Sequence, residues 1–171
     1  MTPLLEIVAR ASRRRYPRRV QPTPHYQQPK WFDRHVFNRL VAVATRAGLS
    51  VWGSRILEVQ GRTSGEPRRV PVNLLSFEGS RYLVAPRGHT QWVRNLRVAG
   101  EGDLLLGRRR ERFLASEVPD AAKEQILRAY LKRWKWEVGQ FFGGVGAEAT
   151  SEELTRIAPD HPVFRVQLHS A

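Results

Sequence analysis

The stretch "RILEVQGRTSGEPRRVPVNLLSF", residues 55–77, joins two apolar runs through a segment that contains two glycines. Both runs are rich in residues typical of strands, and the second one, 68–77, contains Pro71. Gly61 and Gly65 allow backbone angles that other residues resist, so the segment between the runs predicts a turn. Because proline cannot donate a ladder hydrogen bond, Pro71 favours an edge or a bulge in its strand.

A span of eight residues at this turn contains three arginines, namely Arg62, Arg68 and Arg69. A hairpin turn does not need them, and their forked donors suit a phosphate or a carboxylate. A glycine turn also exposes backbone N–H groups that can form a nest for an anion. The alternative interpretation is that these arginines are solvated surface charges, as basic runs usually are.

The remaining elements alternate in a way that predicts a mainly β fold with helices, of the α+β class. We expect six strands, over residues 55–60, 68–77, 81–86, 103–107, 110–118 and 161–169. Helices are predicted over 31–49, 90–100 and 120–138, with a mobile loop at 139–146 and a last short helix opened by a Thr150–Glu153 capping box. A helix after the third strand and another after the fifth predict a closed or half-closed antiparallel barrel with flanking helices.

Charge divides the chain of 171 residues into two parts. The net charge is +13, and residues 1–40 hold nine basic and two acidic side chains. We therefore expect a basic N-terminal arm over residues 1–30 and one barrel domain over 31–171. The absence of cysteine fits a reducing compartment, and no run approaches the roughly 18 apolar residues that span a bilayer. The expectation is a cytoplasmic protein, with an anionic membrane surface as a candidate partner of the arm.

Other functional classes have less support in the sequence. The five histidines are scattered without the spacing of a metal site, so no metal is predicted. There is no Gly-x-Ser-x-Gly elbow and no cysteine nucleophile, which leaves covalent hydrolysis without support. A basic, non-catalytic module that binds nucleic acid or a membrane stays an alternative, although no nucleic-acid reading motif is found.

Three segments together resemble a known family: "ILEVQGRTSGEPRRVPV" from residue 56, "GSRYLVAPRGHTQWVRNLRVAG" from residue 79, and the terminal "HPVFRV" from residue 161. In this order and spacing they are similar to the deazaflavin-dependent nitroreductases, a branch of the flavin-reductase-like split β-barrels. The resemblance implies a split-barrel fold and coenzyme F420, whose tail carries a phosphate and several glutamates. FMN, with its single phosphate, is the alternative cofactor.

The resemblance also assigns cofactor contacts to residues of this chain. The glycine turn and Arg68 are expected at the anionic tail, residues 85–88 near the ring and phosphate, and two further residues on the helix that follows. The complete set of expected cofactor-binding residues is Gly61, Arg62, Thr63, Ser64, Gly65, Arg68, Pro71, Ala85, Pro86, Arg87, Gly88, Trp92 and Asn95. Family members often carry a serine where this chain has Pro86, so a hydroxyl contact is absent here.

The implied activity is hydride transfer from the reduced deazaflavin to a small electrophile such as a quinone or a nitro compound. The implied partner is therefore a small-molecule electron acceptor. No catalytic residue is assigned by the resemblance, and His89 and Tyr130 are the candidates that the sequence offers. Related split barrels often form homodimers, but nothing in the sequence decides between a monomer and a dimer.

Overall fold

The computed structural model describes residues 53–169. It contains six strands in that part of the chain: β1 (Ser54–Gln60), β2 (Pro67–Phe77), β3 (Ser80–Val84), β4 (Glu101–Leu106), β5 (Arg109–Glu117) and β6 (Val163–Leu168). Its α-helices are α1 (Gln91–Ala99), α2 (Glu124–Val138) and α3 (Ser151–Ile157), and its 3₁₀ helices are Asp120–Ala122, Gly139–Phe142 and Ala158–Asp160. The predicted arm over 1–30 and the predicted helix over 31–49 lie outside the described residues.

The strands form a closed antiparallel barrel in the order β1-β2-β3-β6-β5-β4. All neighbouring strands pair antiparallel, and β1 joins β2 on one side and β4 on the other. This confirms the predicted class, and of the two forms that the sequence left open, the barrel is the closed one. In the described part of the chain, no helix is long and apolar enough to cross a membrane.

Strand β2 changes partners along its length. Its first part, up to Asn73, pairs with β1, whereas the part from Leu74 onward pairs with β3. Pro71 pairs with Ile56 of β1 and lies before the pairing with β3 begins. The proline therefore occupies a local edge, as its missing N–H predicts.

The barrel interior is the first of two apolar cores. Alternate residues of the strands point inward, and the fully buried members include Leu57, Leu83 and Phe113. Helix α1 adds Val93 and Leu96, each at most 1% exposed, to the same cluster. The helix therefore packs on the barrel interior, at the end where the turn between β1 and β2 lies.

Helices α2 and α3 form the second core against the outer face of β2, β3 and β6. The apolar stripe predicted for α2 is buried here, and consists of Ile126, Leu127, Tyr130, Leu131 and Trp134. Trp134 has non-helical backbone angles and marks a kink, while Trp136 is 68% exposed, so only one of the two tryptophans packs in the core.

Several predicted strand boundaries were wrong by a few residues. The third strand ends at Val84 rather than at 86, because Ala85 accepts a turn hydrogen bond from Gly88 N. The segment 139–146, predicted to be a mobile loop, holds the 3₁₀ helix Gly139–Phe142 and buries Phe142. The Thr150 capping box is confirmed, with both reciprocal bonds to Glu153 present.

Candidate functional site

The glycine turn, residues 61–66, is closed by its own backbone. Gly61 N donates to Glu66 O at 2.9 Å, and Gly65 N donates to Gly61 O at 2.8 Å. Gly65 has a φ of 68°, where a Cβ would be strained. Gly61 is required for a different reason than the sequence indicated, because a Cβ there would lie 2.8 Å from Ser64 Oγ and 3.1 Å from Glu66 O. Space, and not an unusual backbone angle, selects glycine at position 61.

Most backbone N–H groups of the glycine turn already have acceptors in the protein, namely those of Gly61, Arg62, Gly65 and Glu66. Among the described residues, no acceptor is present for the N–H groups of Thr63 and Ser64. The anion nest predicted from the glycines is therefore reduced to these two donors. The larger share of any anion binding at this turn has to come from side chains.

Arg62 joins the glycine turn to helix α1. Its Nη1 donates to Asn95 Oδ1 at 2.9 Å and to Gln91 Oε1 at 2.8 Å, and its backbone N lies 3.3 Å from the same Asn95 oxygen. Asn95 is only 5% exposed. The structure thus brings together two residues of separate motifs, and Asn95 positions the turn through its carbonyl oxygen.

The two adjacent arginines of β2 have different partners. Arg68 Nη2 donates to Ser64 Oγ at 3.2 Å, which keeps its guanidinium on the glycine turn. Arg69 lies directly opposite Glu58 in the β1–β2 register and pairs with its carboxylate. Successive side chains of a strand point to opposite faces, so neighbours in sequence enter different environments. The expectation that all the arginines near the turn face an anionic ligand was therefore wrong for Arg69.

Glu58 is the centre of a charge ladder on the outer face of the barrel, formed by Arg69, Glu58, Arg110 and Asp103. Arg110 Nη1 lies 2.8 Å from Glu58 Oε1 and 2.9 Å from Asp103 Oδ2. The hydrogen bond from Arg69, with support from Arg110, holds the pKa of Glu58 below its usual range, although burial acts in the opposite direction. The ladder is a stabilising feature of the barrel surface.

The loop between β3 and α1 carries the second predicted motif, residues 85–88. Ala85 is buried and donates its N–H to Pro162 O at 2.9 Å, and Gly88 has a φ of 76°. Pro86 is partly exposed, and the guanidinium of Arg87 lies 4.6 Å from the centre of the Phe141 ring. A cation over an aromatic face keeps its positive charge, so Arg87 can also serve an anionic ligand.

His89 and Tyr130, the candidate catalytic residues, are both engaged in the scaffold. His89 Nε2 lies 3.2 Å from Pro159 O, and its Nδ1 lies 2.9 Å from Arg97 Nη1, so both ring nitrogens have protein partners. Tyr130 is 1% exposed and packs against the ring of Trp134, and burial raises the pKa of its phenol. Trp92 also packs against the barrel core. The centre of its ring lies 5.9 Å from that of Phe164.

The structure adds two polar residues that the sequence did not single out. Asn73 follows Pro71 by two positions and therefore lies on the same face of β2. Its Nδ2 donates to Glu137 Oε2, from the end of α2, at 3.3 Å. Burial raises the pKa of Glu137, while the bond from Asn73 acts in the opposite direction. Spacing along the strand could have indicated Asn73, but no local signal links Glu137 to it across 64 residues.

A cavity of about 400 Å³ lies at the other end of the barrel. It is lined by Gly53, Arg55, Leu74, Ser76, Arg81, Glu111 and Arg133. None of the predicted cofactor-binding residues contributes to it, and strand β1 separates it from the glycine turn. The candidate site is therefore the surface formed by the glycine turn, α1, the 85–88 loop and the end of α2.

The described part of the chain is thus a closed, six-stranded antiparallel barrel of the α+β class, with Arg62 and Arg68 at its glycine turn. The model of one family, described as F420H(2)-dependent quinone reductase, matches residues 31–140, well over half of the chain. The chain belongs to this family. It is an oxidoreductase, and its coenzyme is F420.

Several solved structures are similar to the chain at low sequence identity. One described as a domain-swapped dimer is 17% identical, with 80% of this chain and 97% of that chain covered and a TM-score of 0.50. An F420-H2 dependent reductase, FDR-A, is 16% identical over 67% of this chain and 94% of that one, with a TM-score of 0.47. A putative pyridoxamine 5'-phosphate oxidase from Listeria innocua is also 16% identical, covering 69% and 85%, with a TM-score of 0.47. At these identities the likeness concerns the fold alone. No curated protein sequence matches the chain significantly.

Proposed function

We propose that the protein reduces a quinone-type acceptor and that the glycine turn holds the acidic tail of coenzyme F420. In this proposal Arg62 and Arg68 bind the negative charges of the tail, assisted by the N–H groups of Thr63 and Ser64. Arg87 contributes from the 85–88 loop. Pro71 lies on the outer face of β2, on the same side of the strand as Arg69 and Asn73.

The observation that carries the proposal is the kind of acceptor that each arginine already has. Arg62 is bonded to the amide oxygens of Gln91 and Asn95, and Arg68 is bonded to a hydroxyl. Within residues 53–169, neither guanidinium has a carboxylate within 4 Å. Neutral acceptors orient a guanidinium without cancelling its charge, so both groups are prepared for an anionic ligand. The donor set therefore fits the phosphate and glutamates of F420.

Reduced F420, when bound, supplies the hydride, and the protein supplies binding and orientation. Asn95 and Gln91 keep Arg62 in place, and Ser64 does the same for Arg68. The ring of Phe141 holds Arg87 at the end of α2. Because these contacts exist before the ligand arrives, less ordering entropy is lost on binding.

A matched pair of variants tests the site. Arg68→Ala should weaken F420 binding by about 1.5–3 kcal/mol, the value of a hydrogen bond to a charged group, which is about ten- to a hundredfold in Kd. Arg69→Ala removes the same charge one residue away, but its guanidinium already pairs with Glu58, so coenzyme affinity should change little. Fluorescence titration of the three proteins with F420, and with FMN as a comparison ligand, measures both effects.

Equal losses in the two variants would mean that the turn contributes only general positive charge, and the site assignment would be wrong. Tighter binding of FMN than of F420 would contradict the role of the tail. Quinone and nitro acceptors, compared by turnover with reduced F420, decide the acceptor class. The membrane contact of the arm, the cytoplasmic location and the homodimer stay predictions.

A further inference from the structure

Glu137 is a carboxylic acid without a cationic partner in the described part of the chain. It lies in the last turn of α2 and is half-buried. Its contact is with the uncharged Asn73, at 3.3 Å, and no ion pair involves it among residues 53–169. Among residues 53–169, every other glutamate that is at least partly buried, such as Glu58 or Glu124, is paired with an arginine. A buried carboxyl group without a cation favours its protonated form.

Within residues 53–169, the hydrogen-bond partner of the Glu137 carboxyl is also uncharged, and the nearby arginines are directed elsewhere. Tyr130 lies two turns earlier on α2 and is buried, and Asn73 projects from β2. Arg133, one turn before Glu137, directs its guanidinium over the Trp134 ring, at 4.9 Å, and toward Gly53. Arg87 is held over Phe141. In agreement with this environment, burial raises the pKa of Glu137.

Ser54 is a second buried polar residue at this place. It is the cross-strand partner of Asn73 and therefore lies on the same outer face of the barrel. Its side chain is 4% exposed, and its hydroxyl has no hydrogen-bond partner. An orphaned buried hydroxyl costs stability unless a ligand or water satisfies it. Ser54, Asn73 and Glu137 thus form a polar cluster beside Pro71, at the edge of the proposed coenzyme surface.

We propose that Glu137 is the acid that donates a proton to the acceptor during reduction. The inference rests on the proposed function, because it places the acceptor between the bound coenzyme and the end of α2. Asn73 acts as a positioning residue that orients the carboxyl group. Phe141, one turn after Glu137, contacts Arg87 and so places the acid next to the 85–88 loop.

The reaction balances in atoms and electrons. A quinone takes a hydride, and with it two electrons, from the reduced coenzyme, and one of its oxygens takes the proton of Glu137. The O–H bond of the carboxyl group breaks and the O–H bond of the hydroquinone forms. The quinone is reduced and the coenzyme is oxidised. The one proton that the reduced coenzyme loses together with the hydride passes to solvent, and solvent returns a proton to the Glu137 carboxylate.

The test uses Glu137→Gln, which keeps the shape and removes the acid, with Glu148→Gln at an exposed position as control. F420 affinity should be unchanged in both variants. The rate of quinone reduction by the preformed complex should fall about a hundredfold or more in Glu137→Gln, the usual size of general-acid catalysis, and should stay at the parental value in Glu148→Gln. In the parent protein the rate should fall as pH rises through the pKa of Glu137, and this limb should be absent from Glu137→Gln.

Two further measurements test the same proposal, and the first of them does not depend on activity. In the coenzyme-free protein, parent and Glu137→Gln should have equal denaturation midpoints at low pH, and the variant should become the more stable one as pH rises through the raised pKa. Asn73→Leu removes a bond that favours the carboxylate, so it should move the falling limb to higher pH. The proposal would be overturned if Glu137→Gln reduced the quinone at the parental rate. It would also be overturned if Asn73→Leu did not change the pH at which the rate falls. Loss of F420 binding in Arg69→Ala to the same extent as in Arg68→Ala would instead overturn the site assignment.

Discussion

Arg68 and Arg69 are adjacent in the sequence, yet they contact different kinds of acceptor in two regions of the molecule. Arg68 belongs to the glycine turn, where side-chain contacts are made to uncharged oxygens. Arg69 belongs to the charge ladder, where each arginine has a carboxylate partner. The number of arginines in a segment therefore says little about ligand binding. The charge of the acceptor that each guanidinium contacts is a better indicator of ligand binding.

The comparison separates charge that stabilises the fold from charge that is available to a ligand. In the ladder, Glu58 is nearly buried and needs both of its arginines, because an unpaired buried carboxylate is costly. In the turn, the same type of side chain is oriented but not neutralised. Three predictions compare the stability of the ladder with that of the glycine turn, from the largest expected effect to the smallest.

Glu58→Gln should lower the free energy of unfolding at neutral pH by about 1.5–3 kcal/mol, since it removes charge-assisted bonds to two arginines. The pKa of Glu58 is lowered in the folded protein, so its stabilisation is complete above the ordinary glutamate pKa of about 4.3. It is lost as pH falls through the folded pKa. Chemical denaturation at neutral and acidic pH should show parent and variant converging at low pH.

Glu66→Gln is the matched control for Glu58→Gln. It makes the same change at an exposed position in the glycine turn, where the structure shows no ion pair to this residue among those described. At neutral pH its unfolding free energy should equal that of the parent. A Glu58→Gln protein as stable as the parent would show that the ladder is a set of ordinary, weak surface pairs.

Gly65→Ala should destabilise the coenzyme-free protein by about 1–2 kcal/mol, because a left-handed residue with a Cβ carries that strain. A Cβ at this position meets only Gln60 Nε2, at 3.9 Å, so crowding adds little. Gly65→Asn is the control, since asparagine tolerates this conformation better and should cost less. Equal costs, measured by denaturation, would mean that the backbone angle does not set the requirement for glycine.

Arg62→Ala should lower the free energy of unfolding of the coenzyme-free protein by about 0.5–1.5 kcal/mol, the usual net value of one hydrogen bond. The reason is that Arg62 bonds the buried Asn95 oxygen and ties the turn to α1. Arg68→Ala should have no measurable effect, because its acceptor is the exposed Ser64. Thermal melts of the two apoproteins compare them directly. Identical melting temperatures would mean that Arg62 does not stabilise the coenzyme-free protein.

Local patterns in the sequence were sufficient for most of the fold. Alternating apolar residues predicted the strands, and the helices after the third and fifth strands indicated the barrel, because these signals depend on neighbours in the chain. The stripe from Ile126 to Trp134 and the Thr150 capping box were confirmed for the same reason. The errors, such as the end of β3, lie where a turn hydrogen bond competes with strand propensity.

The sequence located the motifs of the candidate site, and the tertiary structure showed the contacts of their residues. The sequence alone determined which segments carry the glycines and arginines, and the family to which they belong, because motif order and spacing are properties of the chain. Only the tertiary structure decided that Arg69 pairs with Glu58, that Asn95 holds Arg62, that His89 contacts Pro159 and that Tyr130 is buried. It alone brought Glu137 to Asn73. These assignments depend on strand register and on contacts between residues far apart in the chain, and such contacts leave no periodic signal in a single sequence.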